Sequence, residues 1–346
     1  MAVDRAPLLD RRFLDGLAGL ASGSPCDLDA PLRAGSRLTG RAAIELFDAQ
    51  VASRHLDFAA RALRARGEGF YTIGSSGHEG NAAVAAALRP TDPAFLHYRS
   101  GAFFVARAHQ VAGQTPLLDI LLGLCASVDD PIAGGRHKVF GSHALAIPPQ
   151  TSTIASHLPK AVGAAVALDR ASRLGVGSGS ASGSVGTTPA DAIIVCTFGD
   201  ASANHSTATG AINTAAWTAF QHVPVPILFV CEDNGIGISV RTPAGWIAGN
   251  YGHRPGIHYV WGDGLDLPHA YDAAPGVPPP AHGALARSRG LRRRADLPAA
   301  GGDRGRRGGG SGARDRTAAR HLRGAHRTAG QLAVRGGPRP GRRARR

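Results

Sequence analysis

The sequence is short of cysteine, of aromatics and of long apolar runs, and the first and last of these shortages each remove a class of protein. Cys26, Cys125, Cys196 and Cys231 stand far apart with no CxxC pair. That excludes a disulfide framework and a cysteine-built zinc site. Cys196 and Cys231 lie in apolar runs and read as core thiols of a reducing compartment. No HExxH-like zinc pattern occurs. No uninterrupted apolar stretch of about 18 residues exists, so no membrane-spanning helix and no membrane partner are expected. The opening MAVDRAPLLDRRFLDG lacks the apolar centre of a secretion signal, and a cytoplasmic setting is the expectation.

Acidic residues are scarce in one place. Residues 281–346 hold 19 Arg, no Lys and three acids (Asp296, Asp303, Asp315), a net charge of +16. The whole chain carries +14, which leaves −2 on residues 1–280. The body is therefore near neutral, and the overall pI of about 10.9 describes the tail. Residues 281–346 also lack Phe, Tyr, Trp, Ile, Met and Cys, and hold only five Leu and one Val. So little apolar area does not offset chain entropy, and a disordered basic tail is expected over 275–346. Without aromatics to stack on bases, it is expected to meet nucleic acid only nonspecifically. Its Arg, Gly, Ala and Pro share codons rich in G and C, and a frame disruption near residues 270–282 is the favoured reading. The rival is a genuine Arg/Gly-rich tail that makes the chain a nucleic-acid-binding protein.

The body carries periodic signals. Residues 1–40 are mixed and read as an irregular arm. Apolar spacing predicts a helix over 41–66, stopped by Gly67. Further helices are expected over 81–88, 101–110, 116–126 and 157–170, with a long loop over 127–150. Residues 171–190 are Gly/Ser-rich and read as a flexible loop. DAIIVCTF (191–198) and VPILFVC (225–231) are buried-type strands around a helix-like stretch over 203–221. Strand, helix and strand with continuous apolar strands indicate an α/β fold on a parallel sheet flanked by helices. Ligands in such sheets bind beyond the carboxyl ends of the strands.

Two turns occupy those ends. One reads FGDASANHS and the other CEDNGIGIS, with Asn234 placed 34 residues after Asp200. Gly-Asp and Asn-Gly are each ordinary turn dipeptides. Placed together on one crevice, their hard oxygens and a backbone carbonyl suit Mg²⁺, which keeps other positions for phosphate and water. A helix beginning near Ala203 would aim its N-terminus at an anion.

GDA followed by EDN resembles the thiamine diphosphate motif, usually GDG and then NN. SSGHEG (75–80), LHYRSGAF (96–103), GGRHKVFGS (134–142) and TSTIASHLPKAVGAAVA (151–167) agree with it in order. Over about residues 40–272 the chain resembles the alpha subunit of the decarboxylating component of 2-oxo acid dehydrogenase complexes, of the branched-chain or pyruvate type. The resemblance implies a thiamine diphosphate-binding α/β domain over 41–274. It implies Mg²⁺ on Asp200, Asn234 and the carbonyl of Ile236, with Gly199 and Ala201 completing the first turn at the cofactor. It implies diphosphate binding by Tyr98 and Arg99, and Arg presents a fork that suits phosphate. Ser152 would contact the cofactor and Ile154 would wedge beneath it, although Ile154 reads equally as core. His137 is the implied catalytic histidine, with His78 a second candidate.

The implied reaction is decarboxylation of a 2-oxo acid with acyl transfer to lipoamide. The implied partners are a beta subunit, in a heterotetramer of two alpha and two beta chains, and a lipoyl-bearing acyltransferase. With the tail in place of later family segments, the chain alone is expected to be inactive. Another thiamine diphosphate enzyme, transketolase-like or an acetoin dehydrogenase, is the alternative. The sequence departs from the motif at Ala201, where Gly is usual, and at Glu232, an acid that removes one possible phosphate contact.

Overall fold

The computed structural model describes residues 6–274, apart from 22, 24–25, 71–73, 76, 137–139 and 176–187. The expectations for 275–346 and for most of the 171–190 loop lie outside the described residues.

A three-stranded parallel sheet is the centre of the fold. Strands β1 (Ala94–Phe95), β4 (Ile194–Gly199) and β5 (Ile227–Glu232) lie in the order β1-β4-β5. Ala94 pairs with Val195, and the β4–β5 register runs from Ile194 opposite Ile227 to Gly199 opposite Glu232. Every residue of β4 is buried. That is why its sequence is a continuous apolar run: a parallel strand is covered on both faces.

The side-chain period of two divides the core. Val195 and Val230 face one cluster together with α2 (Gly40–Ala65), α3 (Asn81–Ala86), α4 (Gly101–Ala108) and α9 (Leu267–Ala273). Ile194, Cys196, Phe198 and Cys231 face the other, with α6 (Leu158–Arg173), α7 (Ser206–Phe220) and α8 (Trp246–Tyr251). The result is helix layers on both faces of the sheet, as the strand pattern predicts. Ala82, Ala83, Ala102 and Ala106 pack α3 and α4 closely because they have almost no side chain to separate the axes.

Local chemistry sets the element ends. Thr39 caps α2, its Oγ1 accepting from the Ala42 N–H at 3.3 Å, and Gly67 past the other end takes φ +77. Helix α5 (Pro116–Leu124) opens on a proline, whose fixed φ suits the first turn.

Three expectations need correction. The arm over 1–40 is not irregular throughout, since α1 spans Ala6–Ala18. The segment 127–150 contains an antiparallel pair, β2 (Phe140–Ser142) and β3 (Ile147–Gln150), with an irregular register. Its Gly and Pro content hid the alternation that marks a hairpin. Helix α7 starts at Ser206 rather than near Ala203, because Asp200–Asn204 form a 3₁₀ turn. The helix N-terminus is thereby displaced from the strand end.

Candidate active site

Gly199 ends β4 directly opposite Glu232 at the end of β5, so the two turns leave the sheet side by side. Asp200 is 1% exposed. Its Oδ1 accepts from the Ala201 N–H and its Oδ2 from the Gly235 N–H, both at 2.9 Å. That second bond crosses between the turns and places Asn234 beside Asp200 in the chain path. No ion pair to Asp200 occurs among the described residues. A buried carboxyl group bonded by two backbone N–H groups keeps further oxygen lone pairs, which suit a divalent cation.

Asn234 closes its own turn, with Oδ1 accepting from the Ile236 N–H at 2.9 Å and Gly235 at φ +72. A carbonyl oxygen has a second lone pair, so this bond leaves Asn234 able to take a cation. Ile236 is 61% exposed. A Cβ on Gly237 would stand 2.8 Å from the Ala201 Cβ and 3.0 Å from the Val240 carbonyl oxygen. The Ala found where the motif usually has Gly is thus accommodated by a glycine in the opposite turn.

Thr197 gathers the remaining segments onto β4. Its Oγ1 accepts from the His97 N–H at 2.7 Å and lies 3.0 Å from Ser100 Oγ, which seats the turn carrying Tyr98 and Arg99. Its carbonyl accepts from His157 Nε2 at 2.7 Å, which anchors the loop carrying Ser152 and Ile154. Burial holds the His157 ring's pKa below its ordinary value. Ile154 is 38% exposed, so it is a surface residue of this chain and the core reading fails. The Arg99 guanidinium lies 5.3 Å from the Tyr98 ring centre and donates to the Gly74 carbonyl. His137 lies outside the described residues.

Sequence reasoning missed what Glu232 does. It is fully buried, contacts His78 Nδ1 and accepts from Asn81 Nδ2 at 2.6 Å. The acid at this position faces inward, and no local sequence signal separates it from its neighbour Asp233. Sequence reasoning also missed Asp57, which accepts from the Ser75 N–H and Oγ. Burial raises the pKa of Asp57 and likewise of Glu79, which accepts from the Gly77 N–H at 2.8 Å. These carboxyls pin the 74–80 segment. A cavity of about 430 Å³ touches Tyr98 and Arg99 but is otherwise lined by Asp57, Phe104, Asp119 and Asp130 among others. Neither Asp200 nor Asn234 lines this cavity, so it does not bring them together with Tyr98 and Arg99.

Comparison with known proteins gives a family-level match to "Dehydrogenase E1 component" over residues 48–275. The chain belongs to the dehydrogenase E1 component family. Its relatives include the 2-oxoisovalerate dehydrogenase subunit alpha, mitochondrial, of Mus musculus, 29% identical over 203 residues, which is 57% of this chain and 39% of the relative. The same subunit of Caenorhabditis elegans is 29% identical over 206 residues, 58% of this chain and 41% of the relative. Subunit alpha 2 of Arabidopsis thaliana is 28% identical over 209 residues, 59% and 38% respectively. The chain spans about two fifths of the length of these curated relatives. Membership agrees with the expected thiamine diphosphate-binding α/β fold, and the match ends at residue 275.

Proposed function

We propose that this E1-type chain forms the diphosphate and Mg²⁺ half of a thiamine diphosphate site in a two-chain 2-oxo acid dehydrogenase component. The single observation that carries the reading is Asp200, buried at a strand end, bonded across to the second turn and lacking an ion-pair partner among the described residues. The donor set is hard oxygen throughout, which suits Mg²⁺. Asp200, Asn234 and the Ile236 carbonyl would hold the ion, and Tyr98 and Arg99 would hold the diphosphate. Ser152 and Ile154, on a loop tied to β4 through His157, would orient the cofactor ring.

When bound, thiamine diphosphate supplies the nucleophilic carbon and the electron sink for loss of carbon dioxide from a 2-oxo acid. The chain's own residues bind, orient and neutralise charge; they offer no complete acid–base set among the described residues. A beta chain would complete the site, in an assembly of two alpha and two beta chains, and a lipoyl-bearing acyltransferase would receive the acyl group. A branched-chain 2-oxo acid is the proposed substrate, supported by the names of the relatives. The chain alone is proposed to be inactive.

The test has two arms. Titration of the full chain with thiamine diphosphate should show binding that requires Mg²⁺, and Asp200→Ala should remove that requirement together with the binding. Addition of a beta chain should give decarboxylation of branched-chain 2-oxo acids or pyruvate. Robust turnover by the chain alone contradicts the half-site reading. Silence on every 2-oxo acid, with cofactor binding intact, points to a transketolase-like enzyme.

A further inference from the structure

One fully buried polar group near the crevice is not used by the proposed reaction. Glu232 is 0% exposed and holds two donors, His78 and Asn81. His78 comes from the 74–80 segment and Asn81 opens α3, so one carboxylate joins the end of β5 to both. His78 also lies against the end of β4: a Cβ on Gly199 would stand 3.6 Å from His78 Cε1. The His78 ring also stacks on His97, with centroids 5.0 Å apart and planes 10° from parallel. His97 directly precedes Tyr98 and Arg99, and its ring lies 4.0 Å from the Tyr98 ring. His78 therefore contacts Glu232 at the end of β5, lies beside Gly199 at the end of β4 and stacks on His97, the residue before Tyr98.

The donor atoms of His78, His97 and Glu232 fall within 4.8 Å of one another, a composition that resembles a metal centre. The ring geometry argues against it. Nitrogen lone pairs lie in the ring planes, and two nearly parallel planes do not converge on one ion. Glu232 is also already bonded by two donors. A buried hydrogen-bonded network is the better description, in which Asn81 Oδ1 alone of the Glu232 and Asn81 side-chain atoms lacks a partner, and such networks favour one arrangement of the segments they join.

We propose that His78 and Glu232 are positioning residues that set the spacing of the two strand-end turns and the Tyr98–Arg99 turn for a diphosphate-bearing cofactor. The proposal rests on the cofactor reading above. Glu232 lies two residues before Asn234 and opposite Gly199, so its anchorage fixes the direction in which the chain leaves β5. That direction decides whether the Gly235 N–H meets Asp200 Oδ2 and where the Asn234 oxygen stands. Neither His78 nor Glu232 needs to touch the cofactor for this.

The experiment uses the full chain, Mg²⁺ and thiamine diphosphate. Calorimetric titration at saturating Mg²⁺ gives the cofactor affinity well below the melting temperature, and thermal unfolding without ligand gives the stability. Glu232→Gln preserves shape while weakening one of the two bonds. It is expected to lower affinity about tenfold, which corresponds to about 1.4 kcal/mol. His78→Ala is expected to lose at least as much. His78→Gln, which keeps a donor toward Glu232, should restore affinity to within about threefold of wild type. A structural role alone would lower the melting temperature of these variants and leave affinity unchanged, and that outcome overturns the proposal. Wild type that binds while Glu232→Gln binds equally well removes this proposal only. Wild type that does not bind at all withdraws the cofactor reading and this proposal together.

Discussion

The two turns that face each other at the sheet edge are built in opposite ways. The turn after β4 is sunk into the protein, with Asp200 at 1% exposure and both its oxygens occupied by backbone N–H groups. The turn after β5 rises from the surface, with Ile236, Ile238 and Val240 at 61%, 71% and 66% exposure. The first is held by the fold. The second presents large apolar side chains to water, which a chain tolerates singly but which in a run mark a face made for contact. Half of the crevice is therefore supplied by this chain's own core, and half by a turn whose apolar residues gain nothing until something covers them.

The sharpest way to break this contrast is to remove the buried side. Asp200→Ala deletes a carboxylate that spans both turns. Mg²⁺-dependent binding of thiamine diphosphate should fall by at least about a hundredfold, or about 2.7 kcal/mol. Calorimetric titration in the presence and absence of Mg²⁺ checks it, and an unchanged affinity would sink the site assignment. The variant leaves the Ala201 and Gly235 N–H groups without this acceptor, at a cost of about 1–3 kcal/mol for each that stays shielded from water, so thermal unfolding of the variant is measured beside the titration to separate a lost site from a lost fold.

A smaller effect tests how closely the turns are fitted. Gly237→Ala puts a methyl group 2.8 Å from the Ala201 Cβ and 3.0 Å from the Val240 carbonyl oxygen. Overpacking of this kind costs about 1–3 kcal/mol. Adding Ala201→Gly relieves the first contact and not the second, so the double variant should recover part of the loss and not all of it. Urea unfolding of the two single variants and the double variant measures this, and strict additivity would show that the turns do not touch in solution.

How much of this was legible in the sequence follows the same division. The strands β4 and β5 announce themselves as continuous apolar runs because both faces of a parallel strand are covered. The pairing of Asp200 with the Asn234 turn was legible because strand ends in such sheets converge on one crevice. The bond from Asp200 to the Gly235 N–H was not, since sequence carries no distance. Glu232 was legible only as a departure from a motif; its partners His78 and Asn81 are more than 150 residues away and only the fold unites them. The β2–β3 pair escaped because Gly141, Pro148 and Pro149 interrupt the alternation that identifies strands.

A pH series probes the loop tied to the buried side. Burial holds His157 below its ordinary pKa of 6.5, because the charged ring is poorly solvated there. A histidine with a lowered folded pKa contributes stability that is present above pH 6.5 and lost as pH falls through the folded value. Asp57 and Glu79, raised by burial, run the other way: their contribution is present below their ordinary values of 3.8 and 4.5 and is lost as pH rises through the folded ones. The effect of His157 is therefore read as a difference between chains. Relative to wild type, His157→Gln, which keeps a donor for the Thr197 carbonyl, should lose less stability on acidification below pH 6.5. Equal slopes in unfolding free energy against pH would contradict this.

The smallest expected effect is on the exposed side. Ile238 is 71% exposed, so Ile238→Ser gives up little buried area. Surface changes of this kind stay within about 0.5 kcal/mol. The free chain should keep its unfolding midpoint, and its Mg²⁺-dependent cofactor affinity should match wild type, because Ile238 takes no part in the Asp200 to Gly235 bond or in the Asn234 turn. The proposed beta chain changes the expectation. A partner that covers the turn after β5 buries Ile238, and the substitution should then weaken assembly while leaving the free chain untouched. Sedimentation of the mixed chains measures that difference. Loss of stability in the free chain would show that the turn is packed in solution, and the contrast between the two strand ends would fail.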